Sequence, residues 1–82
     1  MTNTTLDAIE QRALRAQEIA GSISPNERQK KIRATANLIN CATAAALAWF
    51  ECFDREEAAE TAVAWARVTE EESKYYAALM EG

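Results

Sequence analysis

Apolar positions recur at three- and four-residue intervals along most of the chain, the spacing of amphipathic helices and not of strands. Leu6, Ile9, Ala13, Ala16, Ala20 and Ile23 fall on one stripe with Gln11, Arg15 and Glu18 opposite, which predicts a first helix over about 5–20. A second, over about 25–53, carries Ile32, Ala36, Ile39, Thr43, Ala46, Phe50 and Phe53, with Leu38, Ala42, Ala45 and Trp49 widening the stripe on one flank. A third, over about 55–80, presents Ala58, Thr61, Ala62, Trp65, Val68, Thr69, Tyr76 and Leu79 on one face. Two glycines and one proline leave little to interrupt these runs.

The breaks between them have local chemistry. Ser24, Pro25 and Glu27 read as N-cap, first helical position and capping-box acid of the second helix. Gly21, just upstream, can close the first. Asp54 and Glu57 repeat the capping pattern for the third helix, although one continuous helix through Asp54 is an alternative, because neither glycine nor proline marks that break. The fold class is therefore all-α: one domain over residues 1–82, in which helices two and three form a long antiparallel hairpin and the N-terminal helix packs on it.

From Cys41 to Phe53 the second helix is apolar around nearly its whole circumference, leaving only a thin polar strip of Asn37, Asn40 and Glu51. A helix of that kind wants burial on all sides. Two neighbours within one small chain do not supply it, and a chain of 82 residues sits where a single core is marginal. The expectation is a symmetric homodimer that completes a helical bundle, with Trp49, Phe50, Phe53 and Trp65 as its bulk. The alternative is that these aromatics fill the core of one chain. Glu72 falls on the inner stripe of the third helix, so it belongs at a bundle end or opposite a cation of another chain. Leu14 lies off its stripe and is expected at the surface.

Composition narrows the chemistry. There is no histidine, no glycine-rich phosphate loop, and no serine or cysteine beside a recognisable base, so the expectation is a protein that is not an enzyme. Carboxylates alone are a poor zinc set, and helix-borne di-iron sites need a Glu-x-x-His pairing, so neither metal nor other cofactor is expected. Cys41 and Cys52, eleven residues apart, are separated by about 16 Å on one helix, beyond disulfide reach. They read as free thiols of a reducing cytoplasm. The opening residues have neither the basic start nor the apolar core of a signal peptide, and the apolar run is too short to span a bilayer, so no membrane role is expected.

Charge is uneven: six cations face four acids in residues 1–40, and three face nine in the remainder. The stretch RQKKIR at 28–33 spreads its cations around a helix within two turns, which makes nucleic acid an unlikely partner. A small DNA-binding regulator or antitoxin is the alternative function, but it needs a short helix and a recognition helix joined by a tight turn. Binding another protein is the leading expectation, through Arg28, Lys31 and Arg33 together with Leu14, Tyr75 and Glu72, since interfaces favour arginine and aromatic anchors.

A small acidic helical chain opening MTNTTLDAIEQRALRAQEIAGSI resembles the small early-expressed host-takeover proteins of temperate phages of pseudomonads, including those that bind a quorum-sensing activator or a pilus assembly motor. The likeness lies in size, helicity and acidity across the chain, and no residue role is carried over. It implies a homodimer, cytoplasmic in a bacterial host, that binds and inactivates a host regulator or motor protein without catalysis of its own.

Overall fold

A computed structural model describes residues 2–52 and 54–82, with side chains from residue 5 onward. Three helices account for most of it: α1 (Thr2–Ser22), α2 (Arg28–Phe50) and α3 (Ala58–Glu81). None of the described helices is long and apolar enough to cross a membrane. α2 is central. It packs against both α1 and α3, whereas the backbones of α1 and α3 do not approach each other. The result is a flattened, elongated body with extents of 43 × 19 × 13 Å. Both connections reverse the chain, so α1 and α3 run parallel to one another and antiparallel to α2.

The core is built from small side chains. Among the described residues, eight of the thirteen buried apolar ones are alanines, which lets the helix axes come close but supplies little volume, so Leu38, Trp49 and Trp65 provide the bulk. The α1 stripe behaves as its periodicity predicts, with Leu6, Ala13, Ala16 and Ala20 buried and Ile9 and Ile23 packed against the core. The expected face of α3 is likewise buried or half-buried throughout.

On α2 the expected stripe is displaced. The predicted flank, Leu38, Ala42, Ala45 and Trp49, is the centre of the core, joined by Ala34, Thr35 and Cys41. Ile32, Ala36, Ile39 and Ala46 are only half-buried, while Thr43 and Phe50 are exposed. A helix that serves two neighbours buries the arc between them, and the small residues of the flank are what both neighbours can approach. The all-round burial expected for the Cys41–Phe53 run does not occur within one chain: Leu47 is 60% and Phe50 70% exposed.

The expected caps also give way. Ser24 does not cap α2: its carbonyl accepts from the Glu27 amide at 2.9 Å and its hydroxyl from the Asn26 amide at 3.2 Å. Ser24–Glu27 is thus a β-turn with Pro25 at its second position, a use of proline that competes with the first helical position. The helix begins three residues later, at Arg28, behind Glu27, whose side chain makes no capping hydrogen bond. Asp54 is also not a cap. Its carboxylate accepts from the Cys52 thiol at 3.1 Å, and α3 starts only at Ala58. α2 ends at Phe50, so the expected helix boundaries at 25, 53 and 55 each contract, and the two helices are separate. Gly21 does not close α1, which continues through Ser22. The Ser22 hydroxyl takes the Ile19 carbonyl at 2.9 Å instead, and no described residue has positive φ.

Candidate protein-binding surfaces

The antiparallel topology gathers the C-termini of α1 and α3 around the N-terminus of α2. Neither α1 nor α3 has a basic residue in its own last turn, where a cation would complement the helix dipole and the unpaired carbonyls. α2 supplies both. Lys31 is buried, and its ammonium donates to the Ala20 carbonyl of α1 while lying 5.6 Å from the centroid of the Tyr75 ring on α3. Arg28 donates from Nε and Nη2 to the Leu79 carbonyl, at 3.0 and 2.7 Å, and from Nη2 to the Met80 carbonyl at 3.2 Å.

The three cations of the basic patch expected for partner binding are thereby separated. Lys31 is not available at the surface, Arg28 is engaged by the end of α3, and Arg33 stands exposed on the far side of α2 without them. Lys30, beside them, pairs with Glu27 at 3.1 Å. Tyr75 is half-buried under Lys31 and is not a free anchor. Glu72 is half-buried and still reaches water, so its place on the inner stripe does not require a cation.

At the opposite end, where α2 finishes and α1 and α3 begin, apolar surface stays bare. Phe50 and Val63, the latter 51% exposed, line a cleft of about 450 Å³ together with Ala59, Arg55 and Glu56. Leu47 stands one turn before Phe50. Trp49, buried beneath, has the Arg55 guanidinium 5.4 Å from its ring centroid, and its indole N–H finds no acceptor among the described residues. Phe53, expected in the same cluster, lies outside the described residues.

A second surface follows from the gap between α1 and α3. Glu10, Leu14 and Gln17 of α1 face Thr61, Ala64, Trp65 and Val68 of α3, with Glu57 and Glu60 at the mouth, across a groove of about 440 Å³. Trp65 is buried but its Nε1 donates to Glu10 Oε2 at 3.2 Å, the side-chain bridge that links the two flanking helices. Leu14, 41% exposed, is therefore the edge of a groove and not an isolated surface leucine. Sequence reasoning missed Leu47, Val63 and Glu10. Val63 was detectable as an apolar residue pointing away from the Trp65 face; the role of Glu10 depends on a contact 55 residues away and left no local signal.

The two thiols are free. The hydrogen bond to Asp54, seconded by partial burial and by the carboxylate's charge, holds the Cys52 proton on and raises its pKa, while the same hydrogen bond holds the Asp54 carboxyl below its ordinary range. No known protein family, no curated protein and no solved structure matches this chain.

Proposed function

We propose that the protein is a non-catalytic inhibitor or adaptor that acts by binding another protein, and that it does so as a homodimer in a bacterial cytoplasm. The observation that carries this reading is the bare apolar surface at the open end, where Leu47, Phe50 and Val63 are 51–70% exposed although each is large enough to contribute to a core. Clusters of this kind on small proteins mark interaction sites. The rim of the Phe50 cleft supports a second copy as its occupant: Arg55 and Glu56 are adjacent and opposite in charge, so a two-fold axis can set Arg55 of one copy against Glu56 of the other. The resemblance to phage host-takeover proteins supports a regulator or motor protein of the host as the target.

DNA binding has less support. Two of the four cations in the 28–33 stretch are engaged by carbonyls, and helices of 23 and 24 residues are longer than a helix-turn-helix pair calls for. Capture of tagged protein from a bacterial lysate, followed by adding the purified chain to the retained target, tests the proposal. The expected result is one host protein held in stoichiometric amount and a dose-dependent loss of its activity; retention of no protein above background, or of DNA in its place, would overturn it.

A further inference from the structure

The groove between α1 and α3 differs from the Phe50 cleft in the sign of its charge. Its apolar lining, Leu14, Ala64, Trp65 and Val68, is accompanied by Glu10, Glu57 and Glu60 and, among the described residues, by no lysine or arginine, while Arg12, Arg15 and Arg67 line the adjoining surfaces. A second copy of this acidic chain would bring more carboxylates to that rim, and like charges across an interface suppress association. The groove is also a vacancy of a particular shape. Two parallel helices flank it above a third that runs the other way, so a fourth helix laid between α1 and α3 and antiparallel to both would complete an up-down four-helix arrangement.

We infer that this groove takes a basic amphipathic helix of the target protein, which enters with an apolar stripe on Leu14, Trp65 and Val68 and sets lysine or arginine side chains against Glu10, Glu57 and Glu60. The orientation follows from the topology. The N-termini of α1 and α3 and the acids Glu57 and Glu60 lie at the open end, so an antiparallel helix ends there with its C-terminus, the end at which its own dipole favours cations. Its basic residues therefore cluster in its last turns, and its apolar anchors repeat at the three- and four-residue spacing of groove-bound helices. The Trp65–Glu10 hydrogen bond crosses the groove floor, so the floor is already formed before the helix arrives and little ordering is required on binding.

The inference rests on the protein-binding reading and names the partner's chemistry. Its test is a cell-surface display library of amphipathic helices of about 18 residues, roughly 27 Å long, sorted on the full-length chain. Enriched helices are expected to carry an excess of lysine and arginine in their C-terminal half over the input library. Their binding is expected to weaken about tenfold or more with Leu14→Asp and with the paired change Glu57→Lys/Glu60→Lys, all exposed positions, and to be unaffected by Phe50→Glu. Circular dichroism verifies that the variants keep their helical content. Absence of enrichment, enrichment without the basic excess, or binding that Phe50→Glu removes while the groove variants spare it would each overturn the inference. If the captured host protein is still retained in that event, the groove assignment alone has failed and the protein-binding reading stands.

Discussion

The two ends of the molecule are built from the same three helices and differ in how they are tied, although each exposes large apolar side chains, Ile19 and Met80 at one and Leu47, Phe50 and Val63 at the other. At the closed end, three helix termini meet and are tied together: Lys31 and Arg28, both on α2, satisfy carbonyls of α1 and α3 that these helices leave open. At the open end no described lysine or arginine donates to a helix-end carbonyl in this way, α2 stops at Phe50, and Leu47, Phe50 and Val63 are exposed. Two cations that the linear distribution of lysine and arginine offers for partner contact are thus engaged within the fold. A cation four residues from a helix start is poorly placed for its own helix, and here it is well placed for the two neighbours that run the other way.

Removing the closed-end tie should have the largest effect. Lys31→Met keeps the aliphatic stem but not the ammonium, so the Ala20 carbonyl loses a charged donor in a buried setting and stability falls by about 1.5–3 kcal/mol. For a domain of this size that lowers the thermal midpoint by roughly 4–8 °C per kcal/mol, readable by circular dichroism. An unchanged midpoint would mean that Lys31 does not hold this end. Thr35, fully buried with its hydroxyl unpaired among the described residues, works in the other direction: Thr35→Val removes an orphaned polar atom at constant shape and should raise stability by about 1 kcal/mol. A loss on this substitution would show that the hydroxyl has a partner. Arg28→Ala, at the exposed edge of the same closed end, should cost about 0.3–1 kcal/mol by freeing the last carbonyls of α3, clearly less than Lys31→Met.

The smallest effect expected is chemical and lies at the open end. Cys52 is only half-buried, yet its proton is held by Asp54. Since the thiolate is the reacting species, alkylation at neutral pH should be slower than for an ordinary exposed thiol, and Asp54→Asn should speed it. Equal rates in the two proteins would remove Asp54 as the cause.

The helices of α1 and α3 were legible because each faces essentially one neighbour, and a single apolar stripe records a single contact. α2 faces two, and its buried arc lies between them. Periodicity alone weighted the larger side chains Ile32, Ile39 and Phe50, whereas close approach selected the smaller ones, Ala34, Ala42 and Ala45. The turn before α2 is ambiguous in the sequence for a related reason, since Ser-Pro-Asn-Glu satisfies the residue preferences of an N-cap and of a β-turn alike, and only the hydrogen bonds decide between them. The three-helix class and the exposure of Leu14 could be read from the residues, whereas Trp49 and Trp65, expected in a dimer core, lie in the core of one chain, the alternative reading. The groove could not, because it arises from two helices whose backbones do not approach each other, and the engagement of Lys31 could not, because its acceptor is a backbone carbonyl that no residue type announces.

If the open end is an interaction surface and not merely a frayed edge of a monomer, the chain associates through it. Sedimentation equilibrium of the wild type beside Phe50→Glu, at micromolar concentration, measures this most directly. Twice the 9.1 kDa chain mass is expected for the wild type and the single-chain mass for Phe50→Glu, with helical content unchanged, because an exposed substitution moves the stability of the chain itself by less than about 0.5 kcal/mol. A wild type that stays at 9.1 kDa across the concentration range, or a Phe50→Glu variant that remains a dimer, would contradict it.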